Sequence, residues 1–330
     1  MDSRQIVGVL GYVSTAGMRR FFVTAARLRL ESPDMKLVPA MVGKWQETRS
    51  LNHYRPDYVA RVTTSLGQCC LRFISPRLVF GYCALSLVVP LSGQEDGPVV
   101  SSLGAKLRER TTYLNPEFLL FSVDAKKEKK VPVVIYLHGA GGVGNEIGKI
   151  KGQVQRVVFG IRKFRKGPCL VVAPQCLRDT PKGRGIWTPP DLDVLLEHLK
   201  ATLPLDERRI YLTGNSMGGY GCWVWGGHNP KHFAAIAPVV GGIGRGGPKA
   251  VTDELEEWAA NLATVPVYAF AGAKDRVVPA ERSERMITAI RKAGGKRAKI
   301  KVFPEEGHGV GRIVFSNREV YDWMFSQKRE

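Results

Sequence analysis

From about residue 115 onward, short apolar runs alternate with longer stretches in which apolar residues recur at helical spacing. Residues 117–123 read as a strand. Residues 131–137, Val-Pro-Val-Val-Ile-Tyr-Leu, form a β-branched run of the kind buried on both faces of a parallel sheet. A helical stretch over 150–164 and a buried strand over 169–173 follow. The next helix, 191–202, is opened by Pro189-Pro190 and carries Leu192, Val194, Leu195 and Leu199 along one side. The rhythm continues with strands near 210–213, 234–239, 265–271 and 298–303, and with helices near 217–227, 253–261, 281–293 and 316–327. This βαβα order predicts one α/β domain over residues 95–330, a doubly wound, mostly parallel sheet covered by helices on both faces.

Residues 1–94 follow no sustained period of 3.6 or 2.0 and are expected to be a poorly structured N-terminal extension. Within it, Arg72 and Arg77 precede an apolar stretch over 78–91 and then Ser92-Gly93-Gln94. A basic start, about 14 apolar residues and a small-residue end form the layout of a secretory signal peptide. A spanning helix would need about 20 apolar residues. The expectation is therefore that residues 72–94 are an export signal and that the natural start lies downstream of Met1. The mature protein would then be secreted or periplasmic, with no stable membrane insertion; if the segment is unused, the protein is cytoplasmic. The competing reading is a buried apolar helix or strand in a genuine extension.

Composition sharpens this picture at one point. The 330 residues hold 49 Lys and Arg against 30 Asp and Glu, a net charge of +19, which invites a nucleic-acid partner. The charge is dispersed, however: +7 falls in residues 1–93 and +12 in the remainder. Its densest runs, 126–130 and 162–166, adjoin strand-like runs where solvated loops and helix ends are expected. No nucleic-acid partner is expected. Of the six cysteines, Cys69, Cys70 and Cys83 lie in the extension. Cys169, Cys176 and Cys222 match no disulfide framework or zinc spacing, and whether any of them pair is left open.

The chemistry concentrates at strand ends. Gly214-Asn215-Ser216-Met217-Gly218 places a G-x-S-x-G between a predicted strand and a predicted helix, the setting of an exposed nucleophile in a strained turn. Ser216 needs a base to take its proton and an acid to orient that base. In such a sheet the acid and then the base follow in loops after later strands. The strand over 265–271 runs into Asp275, and the strand ending at residue 303 runs into Gly307-His308-Gly309. Asp253 reads as a helix-start charge, and Glu305 and Glu306 lie too close in sequence to His308 to orient it. His53, His198, His228 and His232 read as surface or packing residues. The small-residue loop Leu137-His138-Gly139-Ala140-Gly141-Gly142 can aim backbone N–H groups at a developing oxyanion, and the donors selected are those of Ala140 and Met217. A phosphate-binding loop is disfavoured because no Gly-Lys-Ser/Thr follows.

Together the segments around 136–141, 206–220, 272–279 and 306–309 resemble the α/β-hydrolase superfamily. They are most similar to its secreted esterase branch of polyhydroxybutyrate-depolymerase-like, feruloyl- and acetylxylan-esterase-like and prolyl-oligopeptidase-like proteins. The resemblance implies an α/β-hydrolase fold, with Ser216, Asp275 and His308 as nucleophile, acid and base, and neither cofactor nor metal. It also implies two-step acyl transfer on small or polysaccharide-linked esters. Asn215 departs from many relatives. Pocket rims are expected at 177–188 and 241–248, with Trp187 either a substrate contact or packing under the loop. A serine peptidase, an acyltransferase and a silent polysaccharide-binding relative remain the alternatives, and oligomeric state is left open.

Overall fold

The computed structural model describes residues 3–15, 18–29, 97–124, 130–178, 183 and 185–330. The export segment expected at 72–94 lies outside them, as do residues 126–129 of one basic run and 179–182 of one expected rim. The chain divides into two units, Met1–Pro90 and Leu91–Glu330. In the first, β1 (Ser3–Thr15) and β2 (Met18–Arg29) pair antiparallel with a register shift between Val9 and Tyr12, elements the hydrophobic pattern did not disclose.

The second unit is built on eight strands: β3 (Val99–Ser102), β4 (Leu114–Val123), β5 (Val131–Leu137), β6 (Cys169–Cys176), β7 (Leu205–Asn215), β8 (Ala235–Val239), β9 (Val267–Gly272) and β10 (Ala298–Phe303). Their order across the sheet is β10-β9-β8-β7-β5-β6-β4-β3. From β10 to β6 every pairing is parallel, as the continuous apolar runs predict. β4 and β3 close the other edge antiparallel. An apolar run has no direction of its own, so that reversal was invisible in the pattern.

Helices α1 (Ala105–Arg108), α2 (Lys151–Phe164), α3 (Pro189–Thr202), α4 (Met217–His228), α5 (Leu255–Leu262), α6 (Ala280–Lys292), α7 (Gly311–Val314) and α8 (Arg318–Phe325) connect or follow the strands. Alternate strand residues face opposite ways, so β5 sends Val133, Ile135 and Leu137 into one core with α3 and α4. Val134 and Tyr136 enter the other core, with α2 and α8. Both faces of β5 are buried, and the sheet's central strands are thereby fixed in register and height. The loops that leave β5, β7, β8, β9 and β10 all emerge at the same, carboxyl end of the sheet, where doubly wound sheets bind ligands.

Candidate active site

The position of Ser216, the expected nucleophile, is set by backbone crowding. β7 ends at Asn215, α4 begins at Met217, and Ser216 between them takes φ 59° and ψ −115°. Positive φ in a non-glycine residue is strained, and the turn survives because its neighbours pin it. The Ser216 amide donates to the Val239 carbonyl at 2.9 Å. A Cβ on Gly218 would stand 1.9 Å from the Leu137 carbonyl oxygen, and one on Gly214 would stand 2.5 Å from the Gly218 carbonyl oxygen. Only glycine fits at either position. The turn therefore lies flush on the end of β5, beside the loop that leaves it.

Asp275 follows β9 and His308 follows β10, and the structure brings both to Ser216. The Ser216 hydroxyl is 2.8 Å from His308 Nε2, and His308 Nδ1 is 2.8 Å from Asp275 Oδ2. The carboxylate can only accept, so Nδ1 carries the proton of that pair and Nε2 is left to accept from the hydroxyl. The Asp275 side chain is fully buried, and its other oxygen accepts the amides of Val277 at 2.8 Å and Val278 at 3.0 Å. The two loops are also tied together, because Lys274 N–H donates to the Glu306 carbonyl at 2.8 Å. Glu305 instead pairs with Lys274 at the surface, and Asp253 is exposed. His198 stacks edge-on against Phe118, His228 meets the Val224 carbonyl, and His232 faces Asp193.

The loop after β5 makes a 3-10 turn over Ala140–Gly142, in which Gly142 N–H donates to the Gly139 carbonyl and Val143 N–H to the Ala140 carbonyl. The Ala140 and Met217 amides open their respective helical turns, and neither has an acceptor among the described residues. The loop lies beside Ser216: a Cβ on Gly139 would be 3.6 Å from that of Ser216.

Three side chains that the sequence reading passed over support this loop. His138 is wholly buried; its Nε2 accepts from the Cys176 amide at 3.0 Å, which leaves the proton on Nδ1, 2.7 Å from the Gly139 carbonyl. Burial holds the imidazole neutral and depresses its pKa to about 4, well below the ordinary 6.5. Gln175, also buried, donates to the Gly142 and Glu146 carbonyls while its own oxygen accepts from Asn115. Gln153, in the first turn of α2, accepts the Gly139 amide at 2.9 Å. Apart from the contact of His138 with its neighbour Gly139, their partners lie 14 to 60 residues away in sequence, and no local spacing announces them.

For Trp187, expected either as a substrate contact or as packing under the loop, burial favours the second reading. It is 1% exposed, sits edge-on to His138 at 4.8 Å and donates to the His138 carbonyl at 3.3 Å. Its amphipathic ring serves as the floor of the loop, beneath the surface a substrate would touch. The 241–248 loop does lie beside the nucleophile turn, since a Cβ on Gly219 would be 2.7 Å from the Gly241 Cα. A groove of about 400 Å³ lined by Arg156, Phe159, Lys163 and Phe315 contains none of the three clustered residues. Among the described residues, no three His, Cys, Asp or Glu side chains are grouped to hold a metal ion, and no helix is long and apolar enough to cross a membrane.

Residues 187–319, which include Ser216, Asp275 and His308, match the dienelactone hydrolase family model. A solved thermostable esterase superposes with a TM-score of 0.58 at 27% identity, covering 71% of this chain and 64% of its own. The chain belongs to the α/β-hydrolase superfamily. Among named relatives of this chain, a "Putative carboxymethylenebutenolidase" of Methylorubrum extorquens is 35% identical over 121 residues, 36% of this chain and 40% of the relative. The "Probable feruloyl esterase C" of Aspergillus terreus is 25% identical over 167 residues, half of this chain and 59% of that protein. The chain thus spans about two fifths to three fifths of these relatives' lengths.

Proposed function

We propose that this hydrolase cleaves carboxylic esters through an acyl-enzyme, with Ser216 as nucleophile, His308 as general base and then acid, and Asp275 as the group that orients the imidazole. The observation that carries the reading is the continuous chain from Ser216 Oγ through His308 to a fully buried carboxylate, each link 2.8 Å. As Oγ attacks the ester carbonyl, its proton passes to Nε2. The imidazolium is stabilised by Asp275, whose second oxygen stays saturated by two amides and cannot turn away. The carbonyl oxygen gains negative charge beside the unspent N–H groups of Met217 and Ala140, which need no reorganisation to receive it. Nε2 then protonates the departing alcohol, and water repeats the sequence on the acyl-enzyme.

The His308 side chain is 30% exposed, so the reacting pair opens to solvent and suits small esters or esters projecting from a polysaccharide. Hydrolysis of p-nitrophenyl acetate by the wild type and by Ser216→Ala tests the reading. A loss of about 10⁶-fold in kcat is expected for the variant. Absence of turnover by the wild type, or equal rates for the two proteins, would remove it. Acetylated xylan, feruloyl esters and dipeptide amides, compared under the same conditions, then separate ester from peptide preference.

A further inference from the structure

The oxyanion loop reaches the site from a strand end, and its glycines give it little stiffness of its own. Its orientation must come from partners. A trans peptide points its C=O and N–H in opposite directions, so the direction of the Ala140 N–H follows from where the Gly139 carbonyl points. That carbonyl is held by Gly142 N–H at 2.9 Å and by His138 Nδ1 at 2.7 Å. The peptide on the other side of the Gly139 Cα is held by two side chains: its N–H donates to Gln153 Oε1 at 2.9 Å, the shorter contact, and its carbonyl, that of His138, accepts from Trp187 Nε1 at 3.3 Å.

An N–H can only donate, so the amide oxygen of Gln153 faces Gly139. The side-chain nitrogen is thereby turned toward Gly141, 3.8 Å from where a Cβ of that glycine would stand. The Gln153 amide consequently lies along the turn that carries Ala140. It is delivered by a rigid element: the next residue, Val154, and then Val157, Val158 and Ile161 are fully buried and lock the register of α2 against the sheet. We infer that Gln153 is a positioning residue for the oxyanion donor, fixing the His138–Gly139 peptide that leads into the Gly139–Ala140 peptide, so that the Ala140 N–H is aimed before substrate arrives. The inference rests on the esterase reading above and adds a residue to it.

The test uses the full chain and p-nitrophenyl acetate, with Gln153→Leu, which removes the acceptor at similar volume, and Gln153→Ala, which suits an exposed helical turn if leucine perturbs folding. Both variants are expected to lower kcat about tenfold to thirtyfold with KM within about twofold, because an aim lost in the transition state is not felt in the ground state. Affinity for a boronic acid that forms a tetrahedral adduct on the serine should fall by the same factor as kcat. The Gly139 amide should exchange with deuterium at least about tenfold faster, while the melting transition stays cooperative. Wild-type kcat in both folded variants, or a change confined to KM, would overturn the inference while leaving the esterase reading intact. A wild type that fails to turn over the ester, or that does so no faster than Ser216→Ala, would overturn both.

Discussion

Two backbone segments meet at Ser216 and are held by different means. The nucleophile turn, Gly214 to Gly218, is fixed by contacts among residues adjacent in sequence or in the sheet: glycines whose absent side chains let β7, α4 and the end of β5 touch. The proposed oxyanion loop, His138 to Val143, is fixed by groups from distant elements: the side chains of Gln153 of α2, Gln175 of β6 and Trp187 before α3, and the backbone amide of Cys176 of β6. The first is a steric device and the second a hydrogen-bonded one. They should fail differently.

The steric device should fail most severely. Alanine normally favours a helix over glycine by about 1 kcal/mol. In Gly218→Ala, however, the new Cβ would lie 1.9 Å from a backbone oxygen, with no side chain free to yield. Destabilisation of about 3 kcal/mol or more is expected, read as a shift in denaturant midpoint. A neutral or stabilising result would mean that the turn is not pinned by that contact.

The hydrogen-bonded device should instead respond to pH. His138 binds its proton at about pH 4 when folded and near 6.5 when unfolded. Between these values the unfolded chain holds more protons, so stability is full above pH 6.5 and is lost as pH falls toward 4. The loss attributable to this group is about 3 kcal/mol in total and about 2 kcal/mol between pH 7 and pH 5. Unfolding midpoints of the wild type and His138→Asn at these two pH values should show the variant's dependence flatter by that amount. Parallel curves would contradict the buried neutral imidazole.

The smallest effect is expected under the loop. Trp187→Phe keeps most of the buried ring and removes only the Nε1 contact to the His138 carbonyl, which should cost about 1 kcal/mol and leave KM for a small ester within about twofold. A large rise in KM would restore Trp187 as a substrate contact.

The same contrast explains what could be read from the sequence. Ser216, Asp275 and His308 each sit one loop beyond an apolar strand, in an order that the alternation of elements makes visible, and the strand limits at 131–137 and 298–303 match those observed. Gln153 and Gln175 carry no such signal, because a glutamine in an amphipathic helix or a buried strand looks like any other polar residue until the fold brings its partner near. For Trp187 the sequence leaves two readings, because an aromatic ring near a Gly-rich loop suits either a pocket rim or a floor, and only burial separates them. The antiparallel edge β3-β4 and the β1-β2 pairing depend on chain direction and partner choice, which a hydrophobic pattern does not encode.

The central claim is that Ser216 becomes acylated. Rapid acid quenching of the enzyme during p-nitrophenyl acetate turnover, followed by peptide mass spectrometry, reads this directly. The account predicts one acetyl group on the peptide containing Ser216, absent from Ser216→Ala and depleted by dilution into substrate-free buffer before quenching. An unmodified Ser216 peptide during steady turnover, or acetylation of the same peptide in the variant, would contradict it.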